Sequence, residues 1–299
     1  MLSICIPVYN VDVSKLVIEL NKQFLHQNYV GEIVVLDDGS NEHYRSINET
    51  IKQLEYVRYY LQENKGRSIT RNTLARYARY SKIAFIDGDC LVDENYLHKY
   101  CAPNVIKLPL VIGGLKYGRK PKDKNLRLRW NYGRLREARI QYTADSLSFL
   151  SSNFMIDKTL FASIQFDERI TEYGHEDTLL GIQLRLRQIP FVQIDNKVTH
   201  CGLETASIFI SKTRESISNL WKIYTKINQN NLQKLLIIKI LKKKQNKVLI
   251  KTLSLLFTFL NQPIQFYLSK IYPSIYIFDL YKLLYIYKLK HQLLLNNSL

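Results

Sequence analysis

Short apolar runs and helical stripes alternate from the first residues. Leu2-Ser3-Ile4-Cys5-Ile6-Pro7-Val8-Tyr9-Asn10 is an apolar run stopped by Pro7 and Asn10, which predicts a buried strand ending in a loop. Val13, Leu16, Val17, Leu20 and Phe24 recur at helical spacing and predict a helix over Val13–His26. Ile33-Val34-Val35-Leu36 contains no polar residue, as a strand covered on both faces requires. A helix over Ser46–Leu54, a strand over Val57–Tyr60 and a helix over Ser68–Tyr80 follow, and Ile83-Ala84-Phe85-Ile86 is a fourth strand. Strict alternation of strand and helix predicts parallel strands joined by right-handed crossovers, an α/β, doubly wound sheet flanked by helices.

Beyond Tyr96 the pattern gives a short helix, a strand over Leu108–Ile112 and a helix over Leu126–Ile140 with Trp130 and Leu135 inward. Ser151–Ile156 predicts a strand, and Leu160–Phe166 a helix running out at the solvated pair Asp167-Glu168. Leu179, Leu180, Ile182, Leu184 and Leu186 mark an apolar helix, and Phe191–Ile194 a last strand before Val198-Thr199-His200-Cys201-Gly202. From Ser216 onward Leu, Ile, Tyr and Lys dominate, broken by Pro263 and Pro273. This divides the chain into an α/β domain over 1–215 and a basic, amphipathic, mainly helical tail over 216–299. Val248–Leu260 is strongly apolar but is interrupted by Lys251 and falls short of the roughly 20 residues a bilayer span needs.

Charge changes the picture of that tail. The chain of 299 residues carries a net +17, and from Ser216 to Leu299 there are 13 lysines, no arginine and a single acid, Asp279. Such one-sided charge calls for an anionic partner, a membrane leaflet or, as a rival, a nucleic acid, and lysine with Leu, Tyr and Phe fits helices lying in a membrane interface; packing on the main domain or a dimer contact is the alternative. Between Lys116 and Arg139 ten basic residues face only Asp123 and Glu137, either a solvated face or a surface for an anionic acceptor. Aromatic residues do not interleave there as a stacking platform for nucleic acid requires, so no nucleic-acid partner is expected. Cys5, Cys90, Cys101 and Cys201 are far apart and form no CxxC pair, as expected of reduced thiols in a cytoplasmic protein. No basic region followed by an apolar core marks a signal peptide.

The candidate chemistry is acidic. Asp87-Gly88-Asp89 closes the fourth strand, where open α/β sheets bind ligands, and two hard oxygen ligands suit a divalent cation that also holds phosphate. Solvated turn acids are the plainer reading. Asp37-Asp38-Gly39-Ser40 closes the second strand on the same sheet edge, as a turn and cap or as a nucleotide contact. No Gly-x-Gly-x-x-Gly follows the first strand and no Walker-type loop occurs, so a nucleotide would be held by carboxylates, a metal and basic residues. Tyr173-Gly174-His175-Glu176-Asp177 opens a helix, where two acids are worth roughly 0.3–1 kcal/mol each against the dipole.

In this order Ser3-Ile4-Cys5-Ile6-Pro7-Val8-Tyr9-Asn10, Val34-Val35-Leu36-Asp37-Asp38-Gly39-Ser40, Asn64-Lys65-Gly66 with Thr70-Arg71-Asn72, and Phe85-Ile86-Asp87-Gly88-Asp89 resemble the motifs of the family 2 glycosyltransferases. The resemblance implies a GT-A (Rossmann-like) fold. It assigns Asp38 to the uracil base, Pro7 and Tyr9 to the nucleotide, Arg71 to the base or phosphates, Asp87 to ribose or donor sugar, and Asp89 to Mn²⁺ or Mg²⁺. Gly174-His175-Glu176-Asp177 looks like the Gly-x-Glu-Asp element of inverting galactosyl- and N-acetylgalactosaminyltransferases, which makes Asp177 the general base and Glu176 a ligand of a sugar hydroxyl. The Trp usual in that element is absent, which leaves the sugar open. His200 is either a satisfied loop histidine or, as in related enzymes, a metal ligand.

The expectation is therefore an inverting, metal-dependent transferase that moves a hexose or N-acetylhexosamine from a UDP-sugar to a hydroxyl of a growing glycan. The glycan is free or lipid-linked, and the enzyme is cytoplasmic and peripheral on the inner face of the membrane. A nucleotidyltransferase would need a Gly-rich basic loop after the first strand, which Pro7-Val8-Tyr9-Asn10 is not. A non-catalytic glycan- or membrane-binding module would predict damage at Asp87, Asp89 or Asp177.

Overall fold

The computed structural model describes the chain except residues 28, 141–148, 228–231, 234 and 297–299. Its elements run β1 (Leu2–Val8), α1 (Ser14–Gln27), β2 (Gly31–Asp37), α2 (Glu42–Glu49), β3 (Val57–Leu61), α3 (Arg67–Tyr77), β4 (Lys82–Ile86), β5 (Cys90–Leu91), α4 (Tyr96–Cys101), β6 (Leu110–Ile112), β7 (Leu115–Tyr117) and α5 (Arg127–Tyr132). They continue as β8 (Asn153–Asp157), α6 (Lys158–Ile164), α7 (Glu176–Leu186), β9 (Val192–Gln193), β10 (Val198–His200), α8 (Ala206–Ile227), α9 (Leu236–Lys242), α10 (Lys247–Phe266) and α11 (Ile275–Leu295).

The chain forms two compact units. The first comprises Met1–Gly118, Glu137–Thr171 and Glu176–Gly202. Its main sheet has the order β3-β2-β1-β4-β8-β6-β9, and a small sheet has the order β5-β10-β7. The pairs β1–β2, β2–β3, β1–β4 and β6–β9 are parallel; β8 runs antiparallel between β4 and β6. The sheet is thus mostly parallel and flanked by helices, as the alternation predicts.

Strand side chains alternate between the two layers. Leu2, Ile4, Ile6 and Val8 of β1, Ile33 and Val35 of β2, and Ala84 and Ile86 of β4 pack with α1 and α4. Cys5, Val34, Leu36, Ile83 and Phe85 pack with α3, α6 and α7 through Leu74, Phe161, Leu180 and Leu184. The crossovers place β2 and β3 on one side of β1 and β4 on the other. The strand order reverses between β1 and β4, and a crevice opens at such a reversal beyond the strands' C-terminal ends. Pro7, Tyr9 and Asp87 lie at those ends.

Several boundaries differ from expectation for local reasons. The helix predicted over Ser46–Leu54 begins instead at Glu42, because the Asn41 side chain accepts the Tyr44 amide at 3.2 Å and caps it, and it tightens into a 3-10 turn over Thr50–Gln53. The helix predicted to Tyr80 stops at Tyr77, since the Arg79 amide donates to Glu32 and the Tyr80 amide to Ser3 Oγ. The strands predicted over Leu108–Ile112 and Phe191–Ile194 shorten to β6 and β9. Residues 126–140 are not one helix: α5 gives way at Gly133 to a π-turn over Gly133–Glu137. Asp167-Glu168 is not merely solvated. Asn72 of α3 donates to Phe166 O and Glu168 Oε1, both at 2.9 Å, and Asp167 is held by Arg169 at 2.6 Å.

The second unit comprises Arg119–Arg136, Glu172–His175 and Leu203–Leu299. Its core gathers Leu128 of α5, Phe209 and Ile210 of α8, Phe257 of α10, and Phe278 and Tyr281 of α11. Ser216 lies inside α8, and Pro263 lies inside α10, where it does not end the helix. No helix among the described residues is long and apolar enough to cross a membrane.

Candidate active site

The site is built where β4 ends. Odd-numbered positions of β4 face α3 and α7, and Asp87 continues that side. Its carboxylate receives Arg71 Nη2 of α3 at 2.6 Å, while its amide donates to Ser152 O at 3.2 Å. Arg71 is buried, lies over the Phe166 ring at 5.4 Å, and presents Nη1 to Glu176 Oε1 of α7 at 3.8 Å. Arg67, at the start of α3, approaches the same oxygen at 3.7 Å. Gly66 makes this entry possible: its φ of +86° is a conformation that a side chain would strain. Three residues from distant parts of the sequence, Arg71, Asp87 and Glu176, thus meet in one charge network.

The two aspartates flanking that network are pushed in opposite directions. Burial alone would raise the Asp87 carboxyl, but the Arg71 guanidinium and hydrogen bonds from Ser152 and Arg71 hold it below the ordinary range. Asp177, beside Glu176, is raised to about 7 by burial and then by the Glu176 charge; the Thr178 amide and Arg71 oppose this only in part. Environments that separate two carboxylates in this way suit them to different protonation states at neutral pH. Asp87 stays an anion, and Asp177 is poised to exchange a proton near neutral pH.

Gly88 brings the turn close to β1, where a Cβ would stand 2.9 Å from Val13 Cγ1 and 3.1 Å from Pro7 O. The chain then reverses, and Asp89 leaves the layer Asp87 occupies. Antiparallel pairing of β5 with β10 sets His200 opposite Cys90, which brings His200 Nε2 to 3.4 Å from Asp89 Oδ2. The Cys201 amide donates to Asp89 O at 2.8 Å, and the imidazole stacks on Tyr117 at 5.3 Å. A Cβ at Gly202 would overlap the Asp89 carboxylate, so only glycine leaves room for it. His200 Nδ1 is buried without a hydrogen-bond partner among the described residues. Independently of that Nδ1, one carboxylate oxygen and the imidazole Nε2 3.4 Å apart could hold a first-row or Mg²⁺ ion that would take its remaining ligands from phosphate oxygens and water. No group of three or more His, Cys, Asp or Glu residues suited to a metal occurs among the described residues.

Asp38 lies at the end of β2, and its carboxylate is already engaged. Gln62 Nε2 and the Lys65 amide donate to Oδ1 at 2.7 and 2.8 Å, and the Gly66 amide donates to Oδ2 at 2.9 Å. It clamps the loop that launches α3, and a carboxylate accepting three donors retains capacity for one more. Pro7 pairs with Leu36 across β1–β2, and Tyr9 beyond it is 55% exposed. Asp87, Arg71, Glu176 and Asp177 therefore form one cluster and Asp89 with His200 another; Asp38 stands in a third set of contacts.

The sequence reading missed four contributors. Arg67 and Gly202 lay inside quoted stretches without a role, and Tyr117 carried no motif. Asn153 of β8 accepts from Tyr96 and Tyr100 at 3.0 and 2.9 Å and donates to Gly114 O and Asn196 O at 2.9 and 2.7 Å. It locks the strands beneath the site, and a lone Asn in an apolar run gives no hint of four partners.

Comparison with known proteins agrees with this architecture. The model of glycosyl transferase family 2 matches residues 3–164. An uncharacterized glycosyltransferase of Rickettsia felis is 33% identical over 90 residues, 30% of this chain and 15% of that protein. One from Rickettsia bellii is 31% identical over 96 residues, 32% and 14% of the two chains. The matched stretch is thus a small part of these relatives. Among solved structures, TarS residues 1–349 of S. aureus has a TM-score of 0.51 at 16% identity, covering 99% of this chain and 91% of that one. The same protein is known in complex with UDP and with UDP-GlcNAc. The mannosyltransferase PcManGT of Pyrobaculum calidifontis, in complex with GDP-Man and Mn²⁺, has a TM-score of 0.55 at 14% identity over 97% of this chain and 86% of that one. With a GT-A fold and a family match over more than half its length, this chain belongs to glycosyl transferase family 2.

Proposed function

We propose that this chain is an inverting glycosyltransferase that moves a hexose or N-acetylhexosamine from a UDP-sugar to a hydroxyl of a glycan, in the cytoplasm at the inner face of a membrane. The observation that carries the reaction type is the opposed perturbation of Asp87 and Asp177 around Arg71. A single displacement needs one base and no carboxylate nucleophile. Asp177, raised to about 7, takes the acceptor proton as the oxygen attacks the anomeric carbon. The bond from that carbon to the diphosphate breaks, and UDP leaves with the electron pair. Glu176 orients a sugar hydroxyl, Asp87 binds ribose or donor sugar, and Arg71 holds both carboxylates while facing the nucleotide. Pro7, Tyr9 and Asp38 line the uridine.

Asp89 and His200 would hold Mn²⁺ or Mg²⁺, which neutralises charge on the diphosphate leaving group. The TarS complexes support a UDP-sugar donor, and PcManGT shows that the same fold also carries a GDP-sugar with Mn²⁺. The acceptor is a growing surface glycan, and a lipid-linked one accounts for the cationic second unit.

Release of nucleoside diphosphate from a panel of UDP- and GDP-sugars, with Mn²⁺ and then with EDTA, tests this. One UDP-sugar should be hydrolysed slowly, and EDTA and Asp89→Ala should each abolish it. Turnover unchanged in Asp89→Ala would sink the metal assignment, and turnover with GDP-mannose alone would sink the uridine.

A further inference from the structure

The second unit carries a surface that its own packing leaves uncovered. On α10, Ile250, Ser254 and Phe257 are buried; Phe257 meets Tyr281 and Tyr285 of α11 at 5.3 and 5.5 Å, and Asn261 accepts the Tyr281 hydroxyl at 2.8 Å. The opposite side of the same helix presents Val248, Leu255, Phe259 and Phe266, which are 70%, 50%, 75% and 61% exposed. Their spacing of seven, four and seven residues keeps them on one stripe. Tyr276 and Leu280, one turn apart on α11, are exposed as well. Isolated exposed apolar residues are ordinary, but a continuous stripe holding two phenylalanines is a contact surface.

Lysines surround one end of the stripe. Lys243, Lys244, Lys247 and Lys251 are exposed there. Their backbone is held in place by Lys290, a buried side chain of α11. Its Nζ donates to Ile240 O at 2.7 Å, Lys243 O at 2.5 Å and Gln245 Oε1 at 2.9 Å, and so caps the C-terminus of α9 and fixes the turn into α10. The lysine run is thus presented by a defined turn at the start of the apolar stripe. Between Ser216 and Leu299 only Asp279 opposes 13 lysines, so pairing this face with a second copy would set like charge against like.

We infer that the outward face of α10, with the Lys243–Lys251 turn, is an interfacial docking surface for an anionic lipid bilayer. Val248, Leu255, Phe259 and Phe266 enter the headgroup boundary, and the lysines meet the lipid phosphates. Lys251, within the stripe, extends its ammonium to the same level. The inference rests on the membrane-side placement proposed above and gives it named residues.

The full chain is tested by co-sedimentation with vesicles of phosphatidylcholine alone and of phosphatidylcholine with phosphatidylglycerol. Binding to the anionic vesicles, weakened by salt, is expected. Lys244→Ser/Lys247→Ser/Lys251→Ser should lower it by about a hundredfold, and Leu255→Ser/Phe259→Ser by roughly tenfold or more. Phe259→Trp should show a blue-shifted emission only with anionic vesicles. Equal binding by parent and variants, no binding, or a dimer that Leu255→Ser/Phe259→Ser converts to monomer would each overturn the surface. UDP release measured without vesicles separates this from the enzymatic proposal, because these variants should keep the parent rate.

Discussion

At the scale of the residue, the proposed acid-base chemistry follows from unequal surroundings of similar groups. Asp87 and Asp177 are the same side chain, yet one is neutralised by Arg71 at 2.6 Å and the other is desolvated beside Glu176. Because Asp177 is raised above the ordinary carboxylate value, folding favours its protonated form. The stability this contributes is present below about pH 4 and is lost as pH rises through about 7. Asp177→Asn should therefore melt at a higher temperature than the parent at pH 8 and show no such gain at pH 4, while turnover falls by about 10²–10⁴-fold. Parent turnover should rise with pH through about 7. Equal melting temperatures at pH 8 would refute the perturbation. The acids were legible in the sequence as strand-end and helix-start residues; their opposed ionisation was not, because Arg71 is 16 residues from Asp87 and about a hundred from Glu176.

At the scale of the element, short pieces do the positioning. β5 and β10 are two and three residues long, yet their antiparallel register decides that His200 meets Asp89. Gly202 ends that ribbon. Gly202→Ala should displace the Asp89 carboxylate and weaken Mn²⁺ binding by about tenfold or more, read by calorimetric titration, while circular dichroism stays that of the parent. Unchanged Mn²⁺ affinity would show that Asp89 is not a ligand. The long elements were read well from periodicity: β1, α1, β2 and β3 lie within a residue or two of expectation. The helix boundaries at α2 and α3 moved where a side chain intercepted a backbone group, as Asn41 does before α2 and Glu32 and Ser3 do after α3.

At the scale of the whole molecule, the chain enters its second unit three times, at Arg119–Arg136, Glu172–His175 and Leu203–Leu299. A boundary after Glu215 follows the change in composition but cuts α8 in half. Truncation there should leave Phe209, Ile210 and Leu128 without Phe257, Phe278 and Tyr281, at roughly 1.5–3 kcal/mol per side chain. Soluble yield should collapse, and a folded, monomeric product would refute the packing described. Composition did not show that Leu128 of α5 packs in the core of the second unit or that Glu172–His175 belong to that unit.

The sequence by itself determined the α/β layering, the strand-end acids, the acidic start of α7 and the cationic charge of the C-terminal region. Each is a local pattern, written in hydrophobic period, turn chemistry or charge. Tertiary structure alone decided that Arg71 joins Asp87 to Glu176, that Asp89 parts from Asp87 to face His200, that Asn153 ties four strands and loops together, and which side of α10 stays uncovered. These depend on crossover topology and strand register, which bring together residues far apart in the chain.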